Sequence, residues 1–169
     1  MDRVLFIMNM QEYYVGRGRD REKYSFDTER LIAGVKKRIS EYKSEEVFAL
    51  NIVGKGLIQK SNVPKAGSPD ADVVKDLKID HKNIYERTKY DVFSSEKLVD
   101  FIRARNVKEI EFVGVDLGED TARSAQTATE DFKLHVYFNE ACLVLLQPDK
   151  TKKIRDKLKK TRVTYMEEW

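Results

Sequence analysis

The sequence predicts a three-layer α/β/α sandwich around a mainly parallel sheet of five to six strands. Short apolar runs alternate with segments in which apolar residues recur at helical spacing, a pattern typical of β-α-β units. The runs 4–10 and 47–53 are almost continuously apolar, which indicates strands buried on both faces, as in a parallel sheet. A chain of 169 residues with 41% hydrophobic residues is long enough for one domain, 1–169, with a sizeable core.

The individual elements follow from local patterns and capping residues. Strands are predicted at 4–10, 47–53, 84–89, 109–115, 134–138 and 162–165. Helices are predicted at 27–42, 94–102, 119–131 and 149–160, and a short one, capped by Asp70 or Asp72, reaches Leu77. Asp27 and either Ser94 or Ser95 have side chains that suit helix N-caps. Residues 11–26 and 54–72 are expected to form loops.

The stretch 109–131 is the centre of the predicted arrangement. Its apolar run EIEFVGV leads through the turn DLGE into a segment with alanines at helical spacing. A strand that enters a helix through a tight turn points its turn residues out of the sheet and aims free N–H groups at the same place. Asp120 occupies the critical position of this turn.

Three polar side chains fall at the carboxyl ends of predicted strands: Asn9, Arg87 and Asp120. Ligands of open parallel sheets bind at this edge, so the convergence predicts a site. Taken alone, Asn9 is either a satisfied buried amide or part of that site. Tyr13 and Tyr14 either form a pocket wall or cover the edge of the core.

Charge and cysteine content exclude several classes of protein. The net charge of +3 is too small to argue for nucleic acid as a partner. Residues 149–162 hold eight basic and two acidic side chains, interpreted as the solvated face of a helix. A single cysteine, Cys142, allows no internal disulfide and indicates a reducing compartment. The apolar run at 4–8 is too short for a signal or a membrane span, so the protein is predicted to be cytoplasmic, without a membrane partner.

No metal or cofactor is predicted. His81 and His135 have no partner at ligand spacing. Asp70 and Asp72 resemble a metal-binding pair but are interpreted as helix caps. No Gly-Lys-Ser or Gly-Lys-Thr follows the glycines at 54 and 56, so a phosphate loop is not indicated.

Four motifs occur in a fixed order: VLFIMNMQ, ERTKYDVFSSEKL, FVGVDLGEDTARSA and VYFNEACLVL. Together they resemble the isochorismatase-like cysteine hydrolases, the superfamily that includes nicotinamidases. They are similar to its opening strand, lysine motif, nucleophile turn and Asp-Ala-Cys segment. The resemblance covers the whole chain and implies a hydrolase fold in a homo-oligomer, commonly a dimer or tetramer. It also places Cys142 at a non-catalytic cysteine of the family.

The chain departs from this family at the residues that carry its chemistry. The family triad is aspartate, lysine and cysteine, and the matching positions here are Asn9, Arg87 and Asp120. An amide has no basic lone pair to accept a thiol proton, and arginine stays protonated and cannot shuttle one. The nicotinamidase metal motif is also lost, because the matching region LNIVGKG lacks histidine. Thioester chemistry by the family route is therefore not expected.

Three functions are compatible with this pattern. The preferred one is a non-catalytic homologue that binds a small molecule or protein partner at the old pocket. The second is a hydrolase of a small polar substrate that uses Asp120 as acid or nucleophile with electrostatic support from Arg87. The third is a structural protein with a collapsed pocket, filled by tyrosines. Candidate pocket residues are Gln11, Tyr13, Tyr14, Tyr90, Leu117, Gly118 and Glu119.

Overall fold

The computed structural model describes residues 2–57 and 62–167. The strands are β1 (Arg3–Met8), β2 (Val47–Ile52), β3 (Ile84–Arg87), β4 (Glu109–Asp116), β5 (His135–Leu145) and β6 (Val163–Met166). The helices are α1 (Glu12–Val15), α2 (Thr28–Ser40), α3 (Glu96–Ala104), α4 (Asp120–Glu130) and α5 (Pro148–Leu158). Single 3₁₀ turns lie at Ser44–Glu46, Pro69–Ala71, His81–Asn83 and Val92–Ser94.

The strands form one sheet in the order β3-β2-β1-β4-β5-β6, and every pairing among the described strands is parallel. This confirms the predicted parallel sheet of five to six strands. The strand order reverses between β1 and β4, which are neighbours in the sheet but distant in the chain. The carboxyl ends of these two strands are where such a sheet presents a crevice.

Each face of the sheet carries its own apolar cluster. The cluster around Phe6, Phe48 and Phe112 is closed by α3, α4 and α5, and the alanines of α4 allow that helix to approach closely. The cluster on the opposite face, which includes Leu5 and Ile7, is covered by α1 and α2. These two clusters make the molecule a three-layer sandwich.

Two predicted caps are confirmed. The Asp27 carboxylate accepts a hydrogen bond from the Arg30 N–H at the start of α2, and the Ser95 hydroxyl accepts one from Leu98 N–H in α3. No helix in the described part of the chain is long and apolar enough to cross a membrane.

Three local predictions were wrong. Residues 12–15 of the predicted loop form α1. The helix expected to reach Leu77 is one 3₁₀ turn, because main-chain bonds from Glu12 N to Asp72 O (2.9 Å) and from Val74 N to Met10 O (2.9 Å) hold the following residues extended. Strand β5 continues to Leu145 through a register shift, beyond the predicted end at 138.

A buried ion pair that the sequence did not predict joins α2 to the sheet. Arg38 Nε and Nη2 donate to Glu111 Oε1 (2.8 Å) and Oε2 (2.7 Å) in β4. Tyr42 and Asn139 donate to the same carboxylate at 2.6 and 2.9 Å. Burial alone would raise the pKa of Glu111, but these hydrogen bonds lower it below its ordinary value.

Candidate functional site

The three side chains that the sequence analysis assigned to the triad positions meet in one closed ring of hydrogen bonds. Asn9 follows β1, Arg87 ends β3 and Asp120 begins α4. Arg87 Nη2 donates to Asp120 Oδ2 at 3.0 Å, and Arg87 Nη1 donates to Asn9 Oδ1 at 3.1 Å. Asn9 Nδ2 completes the ring by donating to Asp120 Oδ2 at 2.6 Å. Each member therefore contacts both of the others.

The remaining polar atoms of the ring are tied to the main chain. Arg87 Nη1 also donates to Leu50 O at 2.8 Å, and its Nε donates to Tyr90 O at 3.3 Å. Asn9 Nδ2 also donates to Val115 O at 2.7 Å. Only one guanidinium nitrogen contacts Asp120, so the pair is not the bidentate one that arginine and carboxylate can form.

The ring is closed to solvent. Asn9 and Asp120 are 0% exposed, and the Arg87 side chain is 3% exposed. Asn9 adopts a left-handed backbone conformation (φ +50°), which asparagine tolerates better than most residues. That conformation turns the chain at the end of β1 and directs the amide toward β4 and Asp120.

A second carboxylate, Asp116, belongs to the same turn and was missed by the sequence analysis. Its Oδ1 accepts from Gly118 N (2.8 Å), and its Oδ2 accepts from Thr121 N (3.0 Å) and from the Thr121 hydroxyl. Asp120 Oδ1 accepts from Leu117 N at 2.8 Å. The signal in the sequence that could have identified Asp116 is its position as an acidic residue directly at the end of an apolar strand.

These bonds determine what the turn is able to bind. A strand-turn-helix corner presents main-chain N–H groups that suit an anion or a developing oxyanion. Here the N–H groups of Leu117, Gly118 and Thr121 are taken by the carboxylates of Asp116 and Asp120. The chain itself thus occupies three of the donors that the sequence analysis expected to be free.

The cluster carries a net negative charge when Asp116 and Asp120 are both ionised, because Arg87 supplies one positive charge against their two negative ones. Burial, reinforced by the negative charge of Asp120, raises the pKa of Asp116 to about 7. Burial lowers the pKa of the Arg87 guanidinium, and the neighbouring carboxylates, Asp120 first, oppose this shift. One cation therefore faces two acids, and a proton on Asp116 balances their charges.

A buried tyrosine lies near the ring. Tyr14 is 0% exposed, and its hydroxyl donates to Asn62 O at 2.8 Å. Its ring packs edge-to-face on Tyr13 (5.0 Å between centroids) and Tyr24 (5.3 Å). Burial raises the pKa of Tyr14; the nearby carboxylate of Asp120 also raises it, and the guanidinium of Arg87 lowers it. Tyr14 therefore belongs to the apolar cluster on the face of the sheet that α2 covers.

The other candidate pocket residues are distributed around the turn. The Gln11 amide binds main-chain atoms of Ile52 and Ala71. Tyr13 and Tyr90 are partly buried against the apolar cluster of α2. Leu117 and Gly118 are buried, and Gln147 covers the turn by donating from Nε2 to Leu117 O at 2.8 Å. Glu119 faces outward and pairs with Arg123.

The residues present do not assemble a metal centre. Within residues 2–57 and 62–167, no three side chains of histidine, cysteine, aspartate or glutamate lie close enough together to hold an ion. His81 is exposed on a 3₁₀ turn. His135 starts β5 and its Nε2 lies 2.8 Å from the hydroxyl of Thr164. Cys142 is fully buried in the apolar cluster of α2.

Several solved structures superpose on the chain over almost its whole length. An isochorismatase-like hydrolase from Alkaliphilus metalliredigens superposes with a TM-score of 0.79 at 11% identity, covering 98% of this chain and 94% of that one. A pyrazinamidase of Pyrococcus horikoshii, in complex with zinc, gives 0.74 at 16% identity, with 98% and 99% covered. An N-carbamoylsarcosine amidase from Thermoplasma acidophilum gives 0.71 at 15% identity, with 100% and 99% covered.

The fold and the strand-turn-helix corner together define an α/β protein of the type that carries its site where the strand order reverses. A family model described as Isochorismatase domain matches residues 3–131. The chain belongs to the isochorismatase family. No protein with a curated description matches the sequence.

Proposed function

We propose that this chain is a non-catalytic member of the isochorismatase family that acts by binding a protein partner at its surface. The observation that carries the proposal is the closed ring of Asn9, Arg87 and Asp120, whose side chains are withdrawn from solvent. A catalytic group must reach its substrate within hydrogen-bond distance. Side chains that are fully buried and bonded to one another do not offer that contact.

The alternative of a rearranged hydrolase is less well supported. Asp120 would have to attack or protonate a substrate, but its Oδ1 accepts from Leu117 N and its Oδ2 accepts from Asn9 and Arg87. Both oxygens of the Asp120 carboxylate are therefore engaged within the protein.

The burial of Tyr14 near the ring supports a role outside the old pocket. We propose that this phenol takes up space that a small molecule would need there. A homo-oligomer, dimer or tetramer, and a cytoplasmic location are parts of this proposal. Light scattering coupled to gel filtration at several protein concentrations tests the oligomer.

The direct test of catalysis is an assay with nicotinamide, pyrazinamide, N-carbamoylsarcosine and isochorismate at high protein concentration. We expect no turnover above that of the Asp120→Asn variant, with the Pyrococcus horikoshii pyrazinamidase as a positive control for pyrazinamide. Turnover by the wild type that Asp120→Asn abolishes would overturn the proposal. A small molecule that protects Tyr14 from exchange or quenching would return the binding role to the old pocket.

A further inference from the structure

The free edge of the sheet at β3 presents unpaired main-chain groups. The Arg87 carbonyl accepts from Val53 N at 2.8 Å, so it points toward β2. Main-chain groups of alternate residues in a strand point to opposite edges, so those of Ile84 and Glu86 point outward. The Ile84 N–H donates to the His81 carbonyl within the preceding 3₁₀ turn, but no main-chain partner for the Ile84 C=O or for the Glu86 N–H and C=O comes from residues 2–57 or 62–167.

A wide groove runs along this edge. Its lining includes residues 69–81, Asn51, Ile84, Glu86, Ser95 and Lys97. Asn9, Arg87 and Asp120 do not line it. The groove is thus separate from the buried ring and open to a macromolecule.

The lining beside β3 is acidic. Residues 69–81 contribute four aspartates and two lysines, Glu12 and Glu86 add two carboxylates, and Lys97 adds one cation. Glu86 also pairs with Lys55 at 3.8 Å, an exposed contact. Farther from β3 the lining is mixed, with three arginines and two acids between residues 17 and 29. A ligand that follows β3 therefore meets mainly negative charge.

The lining of the groove also contains an unsatisfied polar atom. Asn51 is 2% exposed, and its Oδ1 has no hydrogen-bond partner among the described residues. Its Nδ2 makes only a long bond, 3.4 Å, to Ala71 O. A buried acceptor without a partner is costly, and an N–H donor from a bound molecule would satisfy it.

From these features we propose that the groove along β3 binds an extended, basic peptide segment of a partner protein by strand addition. Main-chain bonds to Ile84 and Glu86 would provide affinity, because strand addition uses the N–H and C=O groups of a free edge. Basic side chains on alternate positions would face the acidic lining. The inference rests on the proposed surface-binding role and does not depend on the loss of catalysis.

The probe is a fluorescent octapeptide of alternating lysine and valine, titrated with the full chain at low ionic strength. We expect saturable binding, at least about tenfold stronger than that of the alternating glutamate-valine peptide. Hydrogen exchange measured by NMR should slow at the Glu86 amide when the peptide is bound, because its N–H points outward; the Ile84 amide already donates to the His81 carbonyl. A lysine-valine peptide N-methylated at every second residue removes the donors of one edge and should bind at least about tenfold more weakly.

A matched pair of variants separates strand addition from charge attraction. Glu86→Pro and Glu86→Val both remove the carboxylate, but only proline removes the outward N–H. Because that N–H points away from β2, proline costs no bond within the sheet. We expect Glu86→Pro to bind about tenfold more weakly than Glu86→Val.

Equal binding by the two variants, or by the N-methylated peptide, would overturn the proposal, as would no binding at about 1 mM peptide. Protection of the Glu86 amide from exchange that increases with protein concentration, without peptide, would assign the edge to a second copy of the chain and also overturn the proposal. The N-methylated peptide tests strand addition with wild-type protein, so the proposal can still be tested if Glu86→Pro fails to fold. The hydrolysis assay is independent, since its outcome changes with Asp120 and not with Glu86.

Discussion

Arg87 and Asp120 form a solvent-excluded ion pair in which a single guanidinium nitrogen, Nη2, donates to Oδ2 at 3.0 Å. Removing one partner of such a pair leaves the other charge buried without compensation. We therefore expect Arg87→Met to lower the free energy of unfolding by about 3–5 kcal/mol, as measured by urea denaturation. The double variant Arg87→Met/Asp120→Asn should recover part of this loss, and exposed Arg105→Met should change stability by less than about 0.5 kcal/mol. An Arg87→Met protein as stable as the wild type would contradict the description of a tightly bonded ring.

Asp116 predicts an unusual dependence of stability on pH. Its pKa is about 7 in the folded protein against an ordinary value of 3.8, so the folded state holds the proton more tightly than the unfolded state. This contribution to stability is complete below the ordinary value and is lost as the pH rises toward 7. We expect the free energy of unfolding to fall by about 2–3 kcal/mol between about pH 5 and about pH 8.

Asp116→Asn should abolish most of that slope, because the amide retains an acceptor for Gly118 N but does not titrate. Exposed Asp100→Asn serves as the control and should leave the slope intact. A wild-type curve that is flat over this interval would contradict a raised pKa of Asp116. A slope that persists in Asp116→Asn would assign the titrating proton to another group.

Much of the fold was predictable because its signals are local. Nearly continuous apolar runs at 4–10 and 47–53 indicated buried parallel strands, and Asp27 and Ser95 are capping residues directly before amphipathic segments. The convergence of Asn9, Arg87 and Asp120 followed from a general property of open sheets. Their mutual bonding depends on side-chain directions that the sequence alone does not fix.

The errors arose where distant contacts override local preference. Asn139 and Glu140 resemble the end of a strand, but the Asn139 amide donates to buried Glu111, and β5 passes through them with a register shift. The short helix α1 has no side-chain N-cap, so no capping residue in the sequence indicated it. The role of Asp116 required the geometry of a turn whose N–H groups it accepts.

Glu111 and Glu109 give a matched comparison on one strand and one face. Glu111 is 0% exposed and bound by Arg38, Tyr42 and Asn139, whereas the Glu109 side chain is 31% exposed and pairs with Arg3. We expect Glu111→Gln to destabilise the protein by about 3 kcal/mol and Glu109→Gln by less than about 1 kcal/mol, measured by urea denaturation at neutral pH. Equal effects would show that burial does not govern the strength of these pairs.

Tyr14 tests whether the old pocket is filled. Tyr14→Ala should create a cavity beside the buried ring and cost about 3–5 kcal/mol, whereas Tyr14→Phe should cost about 1 kcal/mol for the lost bond to Asn62 O. Small aromatic molecules such as phenol should raise the melting temperature of Tyr14→Ala and leave that of the wild type unchanged. Stabilisation of the wild type by phenol at the same concentrations would indicate an open pocket and contradict the packing described.

The closed ring has a consequence for substitution at its three positions. Because Asn9, Arg87 and Asp120 bond to one another, a change at one of them leaves polar groups of the other two without partners. Replacing Asp120 with cysteine alone would remove the acceptor of Leu117 N and of Arg87, and replacing Arg87 with lysine alone would break the fork that reaches Asn9 and Leu50. We therefore expect cysteine or lysine to be tolerated at these positions only when the partner residues change with it.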